Sequence, residues 1–259
     1  MIKRTAYLLW HLYLVCLFFV RATVICLLNH NKVERRKKLV HNTSYIGKLF
    51  MRALRIDAKV LNPGVLKQMQ DKNYLAVANH VSYTDIIILA SLEDFVFITS
   101  VEMGNNPFLG SITRKGGCLY TDRKKFVSLP KEIEKFAETI EAGFKVMLFP
   151  EGTSTNGETV KEFRKSLFQV PFLAQCPVLP ICIRYKTLDG KAIDEHNRDL
   201  LYWYGDMDFA PHFMKLIGRR IGVEIEVLDP IYSLEGKTRQ TLSNDVYTQI
   251  SSSFHQTRV

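Results

Sequence analysis

The heptapeptide Asn79-His80-Val81-Ser82-Tyr83-Thr84-Asp85 lies between two short apolar runs and constrains the chain around it more than any other stretch. Residues 74–78 are apolar and follow polar Asp71, Lys72 and Asn73, the pattern of a buried strand; residues 86–90 are apolar again, the pattern of an opening buried helix. The heptapeptide is therefore predicted to be a strand-to-helix turn. Residues five apart on a continuous helix lie about 140° apart around its axis. His80 and Asp85 therefore meet only if His80 is on the turn and Asp85 is in the first turn of the helix. A carboxylate placed there holds one imidazole nitrogen and leaves the other to accept a proton, as in a general base. Ser82-Tyr83-Thr84-Asp85 also reads as a capping box, in which Asp85 folds back onto the backbone. Taken alone, the stretch permits both.

Further strands are predicted at 95–99, 118–121, 145–149, 178–184 and 223–228. Asn62-Pro63-Gly64 is predicted to be a turn, and Asn105, Asn106, Pro107 and Gly110 to mark a loop. Ser128 with Pro130 opens a helix along which Ile133, Phe136, Ala137 and Ile140 recur at helical spacing until Gly143. Helices are also predicted at 160–174 and through Leu242, Val246, Ile250 and Phe254. The aromatic segment from Tyr202 to His212 reads as a loop packed on the sheet, outside the site. Strands alternating with helices give an α/β fold: a central, largely parallel or mixed sheet flanked by helices, with polar turns collected at one edge.

Charge divides the chain. Residues 1–60 hold twelve Lys or Arg against Glu34 and Asp57, a net of +10, whereas the remainder is −1. A nucleic-acid binder spreads basic residues over its folded domain; basic residues interleaved with apolar ones at one end fit an anionic membrane surface instead. Residues 7–28 are almost wholly apolar, interrupted by His11 and Arg21, and are compatible with spanning a bilayer or with shallow insertion. The cluster Lys32, Arg35, Arg36, Lys37, Lys38 after this run favours a cytoplasmic catalytic side. Residues 45–55 are predicted to be a basic amphipathic helix on the membrane surface, the alternative being a core-facing helix with a solvated basic face. The expected division is thus 1–60 as an N-terminal membrane-binding helical segment and 61–259 as the catalytic domain. Five scattered cysteines read as reduced thiols.

Four blocks recur in order: Asn79-His80-x4-Asp85; Gly117-Cys118-Leu119-Tyr120-Thr121-Asp122-Arg123; Phe149-Pro150-Glu151-Gly152-Thr153-Ser154; and Val178-Leu179-Pro180-Ile181. Together they resemble the blocks of the glycerolipid acyltransferase family, which includes 1-acylglycerol-3-phosphate acyltransferases. The resemblance implies that His80 is the general base on the free hydroxyl of a lysophospholipid, with Asp85 orienting it. Arg123, Glu151, Gly152 and Thr153 would bind the acceptor's phosphate-glycerol end, and Pro180 would shape the floor. It also implies an acyl thioester as co-substrate, acyl-CoA or acyl-carrier protein, and no cofactor or metal. The expected acceptor is 1-acylglycerol-3-phosphate, the alternatives being another lysolipid such as a lyso-aminolipid or a non-catalytic membrane-binding role. A serine hydrolase centred on Ser154 is disfavoured, because the elbow G-x-S-x-G needs glycine where Asn156 stands.

Overall fold

The structure is a computed structural model describing residues 2–256. The apolar runs pair into one mixed sheet of β1 (Ile56–Leu61), β2 (Leu75–Ala78), β3 (Phe95–Ser100), β4 (Leu119–Thr121), β5 (Lys145–Leu148), β6 (Val178–Leu188), β7 (Lys191–Ala192) and β8 (Ile221–Val227). The spatial order is β1-β8-β6-β2-β5-β3-β4, with β7 paired to β6. From β6 to β4 the neighbours run parallel, whereas β8 is antiparallel to β6 and parallel to β1. The expected α/β class is the one observed.

The helices are α1 (Ile2–Leu28), α2 (Lys32–Ala53), α3 (Pro63–Gln68), α4 (Thr84–Leu92), α5 (Val101–Asn105), α6 (Leu109–Lys115), α7 (Leu129–Glu141), α8 (Val170–Leu173), α9 (Phe209–Leu216) and α10 (Arg239–His255). They cover both faces of the sheet, so its central strands are buried on both sides. In β2, Ala76 and Ala78 join the core that holds α4, and Leu75 and Val77 join the one that holds α7 and α10. Arg184 ties β6 to β8 and α10: its guanidinium donates to Glu226 Oε2 at 2.9 Å and to Ser253 Oγ at 2.6 Å, all three residues being buried.

Several expectations are corrected. Asn62 adopts φ 56° and leads directly into α3, with Pro63 pre-set for the first helical turn, so no open turn interrupts the chain there. The expected boundary at 60 and 61 falls inside β1, which pairs with β8. The loop marked by Asn105, Asn106, Pro107 and Gly110 is a short turn at 106–108, with Asn105 and Gly110 already in α5 and α6. The helix expected at 160–174 is absent: 160–165 run without regular structure, and only a single 3-10 turn (Ser166–Gln169) and α8 follow.

The basic amphipathic segment 45–55 belongs to α2. Its apolar face is occupied by protein. Ile46 and Ala53 are buried, and a Cβ at Gly47 would lie 3.3 Å from the Ile87 carbonyl and 3.4 Å from Ala90 Cβ, so α2 lies close against α4. Lys48 and Arg52 remain exposed, the core-facing alternative.

α1 contains a 24-residue stretch, Thr5–Leu28, long and apolar enough to cross a membrane, with a mean hydropathy of 2.2. Its polar interruptions fall on the stripe that faces the protein. His11, Leu14, Phe18 and Ala22 are buried, the His11 ring meets Phe50 of α2 and Phe213 of α9, and Arg21 Nε donates to Asn42 Oδ1 at 2.7 Å. Leu9, Leu12, Val20, Leu27 and Leu28 are exposed away from that stripe.

Candidate active site

Because β2, β5 and β4 are parallel, the turns that follow them lie at one edge of the sheet, and β2 and β5 are direct neighbours. The Asn79 side chain continues the ladder where β2 stops: its Nδ2 donates to the Ile183 carbonyl at 2.9 Å, and its Oδ1 accepts from Ile183 N at 2.8 Å. The main chain is thereby released to turn at His80. Its N–H donates to Glu151 Oε1 at 2.7 Å, and its carbonyl accepts from Thr155 N at 3.0 Å. The turn after β5 therefore clamps His80 by its backbone on both sides.

The structure brings His80 and Asp85 together, Asp85 standing in the first turn of α4 with Oδ2 2.8 Å from His80 Nδ1. The same oxygen accepts from Val81 N at 2.8 Å and from Ser82 N at 2.9 Å. Thus Asp85 folds back onto the backbone and also holds the ring; the two readings of the heptapeptide are one geometry. Ser82 is not the main cap, because its hydroxyl donates to the Leu201 carbonyl at 2.9 Å. A carboxylate only accepts, so Nδ1 carries the proton and Nε2 keeps its lone pair. The ring stacks on Phe149 with centroids 4.2 Å apart, and Asp85 is fully buried.

Glu151 has both oxygens committed within the protein, Oε1 to His80 N and Oε2 to Lys161 N at 2.7 Å. Glu151, expected to bind substrate, here forms a brace that joins the His80 turn to the 160–165 segment. This bond, together with Arg164 N donating to the Pro150 carbonyl at 2.9 Å, holds that segment out of a helix. Burial raises the Glu151 pKa to about 7, against the lowering effect of the two backbone donors. The folded state then binds this proton more tightly than the unfolded chain, so stability from this group falls as pH rises from about 4.5 to 7 and is level above. Relative to Glu151→Gln, the wild type is expected to lose about 2 to 3 kcal/mol between pH 5 and 8 in urea unfolding. A pH-independent difference would contradict the upward shift of the Glu151 pKa by burial.

A cavity of about 590 Å³ opens beside these turns, lined among others by Arg123, Phe149, Gly152, Arg164 and Lys165. Phe149, on which His80 stacks, is thus also part of its wall. Arg123 is exposed on the turn after β4, which is fixed by Asp122 Oδ1 accepting from Lys124 N at 3.0 Å and by Glu132 accepting from Asp122 N at 3.2 Å. Partial desolvation and, after it, the neighbouring Arg164 guanidinium lower the Arg123 pKa. Gly152 has φ 75°, and a Cβ there would meet Arg164 Nε at 2.7 Å, so only glycine lets that guanidinium lie against the turn. Thr153 is exposed and outside the cavity lining. Ser154 donates its hydroxyl to the Trp203 carbonyl rather than to a base.

Residues 57–184, which contain all four blocks, match the family model described as Acyltransferase. A lyso-ornithine lipid O-acyltransferase of Pseudomonas aeruginosa is 34% identical over 170 residues, 65% of this chain and 63% of that protein. The chain belongs to the acyltransferase family. Another relative, a 1-acyl-sn-glycerol-3-phosphate acyltransferase of Neisseria meningitidis serogroup B, is 28% identical over 79% of this chain and 77% of its own length. The chain spans 54 to 69% of the length of the lyso-ornithine lipid acyltransferases it matches. The crystal structure of the 1-acyl-sn-glycerophosphate acyltransferase PlsC of Thermotoga maritima shares the fold, with a TM-score of 0.67 at 18% identity over 98% of this chain and 95% of that one.

Sequence reasoning missed two residues at this candidate site. Arg164 read as one face of a helix that does not form, and Tyr185, whose hydroxyl donates to Asp85 Oδ1 at 2.6 Å, read as strand core. Residues 202–208 form a loop as expected, whereas residues 209–212 already belong to α9; the loop also braces the turn through Trp203 N, which donates to the Val81 carbonyl at 3.0 Å.

Proposed function

We propose that the chain transfers a fatty acyl group from an acyl thioester, acyl-CoA or acyl-carrier protein, to the free hydroxyl of a lysolipid, with 1-acylglycerol-3-phosphate as acceptor and phosphatidic acid as product. The observation that carries this reading is the His80–Asp85 pair beside a cavity walled by Phe149 and bearing the Arg123 and Arg164 guanidiniums. His80 Nε2 takes the acceptor's hydroxyl proton as the oxygen attacks the thioester carbonyl. A C–O bond forms, the C–S bond breaks, and the proton passes to the leaving thiolate. Asp85 holds the imidazole and balances its positive charge while the proton is resident. Two guanidiniums suit a phosphomonoester, which accepts paired charged hydrogen bonds. The exposed apolar side of α1 supports seating at a membrane surface, with the basic residues after it toward anionic headgroups on the cytoplasmic side.

A second acceptor, a lyso-ornithine lipid, is favoured by the names of four relatives. An acceptor panel with one acyl-CoA donor, products identified by mass, decides between them. Lysophosphatidic acid is expected to be the better acceptor, and Arg164→Ala to lower its kcat/KM about tenfold or more, as loss of a charged hydrogen bond does, while a zwitterionic acceptor changes less. Preference for the zwitterion, unaffected by Arg164→Ala, would favour the second acceptor.

A further inference from the structure

Asp85 has two oxygens with different work. Oδ2 takes the His80 ring and two backbone amides, whereas Oδ1 takes the hydroxyl of Tyr185 at 2.6 Å. Tyr185 lies on β6, and its hydroxyl also stands 2.6 Å from Thr84 Oγ1. Since Tyr185 donates to the carboxylate, the Thr84 hydroxyl donates in turn to Tyr185. The hydrogen bonds converge on the Asp85 carboxylate: Thr84 donates to Tyr185 and Tyr185 to Oδ1 on one side, while the His80 ring donates to Oδ2 on the other. Thr84 and Asp85 are wholly buried and Tyr185 is 7% exposed, so water does not substitute for any link. Burial and the facing Asp85 raise the Tyr185 pKa well above its ordinary value, which keeps it a donor.

We propose that Tyr185 is a positioning residue for the reaction. By fixing the rotation of the Asp85 carboxylate, it aims Oδ2 at His80 Nδ1 and holds the imidazole in its reactive tautomer. A carboxylate held on one oxygen alone can rock about its Cβ–Cγ bond; a second donor on the opposite oxygen removes that freedom. Of the tyrosines near the turn, Tyr83 instead bonds His212 and Tyr202 has no bond to Asp85, so neither duplicates the link.

This inference rests on the acyl-transfer reading, and its test separates the two. Tyr185→Phe keeps the ring that packs in the core and removes only the hydroxyl. In the folded variant, kcat is expected to fall about tenfold or more with KM for both substrates unchanged, as for other groups that orient a reacting residue from behind. In a His80→Ala background the same change is expected to have no effect on the residual rate, because the residue it positions is gone. The proton shared by His80 and Asp85, observed by NMR without substrate, is expected to shift in Tyr185→Phe. A wild-type kcat in Tyr185→Phe, an undiminished loss in the His80→Ala background, or an unshifted ring proton would each overturn the proposal. Absence of transfer by the wild type would instead overturn the acyl-transfer reading, while the NMR signal would still test the positioning.

Discussion

His80→Ala is expected to lower kcat for acyl transfer by about 10² to 10⁴, the range that a positioned general base contributes, while leaving the protein folded. The ring is only part-buried and makes one side-chain bond, to Asp85, whose Oδ2 keeps the Val81 and Ser82 amides when the imidazole is gone. The stability cost is therefore about 2 kcal/mol, that of one hydrogen bond to a carboxylate and the stack on Phe149. Arg123 and Arg164 are untouched, so KM for the acceptor should hold. Incorporation of labelled acyl chain, with a thermal melt of the same sample, reads both quantities.

Asp85 is expected to behave differently, because it serves the fold as well as the chemistry. Asp85→Ala orphans four donors at a buried point: His80 Nδ1, Val81 N, Ser82 N and Tyr185 Oη. A cost of about 3 to 5 kcal/mol follows from unpaired buried groups, with transfer lost as well. Asp85→Asn keeps the volume. Its carbonyl oxygen can face the three donors on the Oδ2 side, and its amide nitrogen then faces Tyr185, whose hydroxyl must turn to accept. Most of the stability should survive, but the negative charge that balances a protonated His80 does not, so kcat should fall about 10²-fold or more. Urea unfolding and turnover of the two variants separate these effects. Wild-type turnover in Asp85→Asn would remove the carboxylate from the mechanism.

What the sequence made legible follows from local rules. The five-residue spacing of His80 and Asp85, set between a strand pattern and a helix pattern, has one solution, and it is the one found. The turns after β2, β4 and β5 were readable because short apolar runs ended at polar clusters, and α7 because Ile133, Phe136, Ala137 and Ile140 define a face. What escaped depends on contacts distant along the chain. Val160 and Phe163 are buried on the α7 and α10 side without helical backbone, since Glu151 and Pro150 take the amides of Lys161 and Arg164. With that helix went the position of Arg164. Tyr185 looks like core until β6, which runs on past the end of β2, brings its hydroxyl to Asp85 at the start of α4. The apolar face of α2 has the same period whether it meets lipid or α4, so only packing could decide it. Glu151 shows the same limit: a carboxylate in a polar turn does not reveal whether its oxygens face substrate or backbone.

The central claim is that His80 drives transfer of the acyl group to a lipid hydroxyl. The direct measurement counts two products in parallel from purified protein, lysophosphatidic acid and acyl-CoA: free CoA thiol and diacylated lipid identified by mass. The expected result is one thiol per acylated lipid in the wild type, with both products lost together in His80→Ala. Thiol release without acylated lipid, or full acylation by His80→Ala, would contradict it.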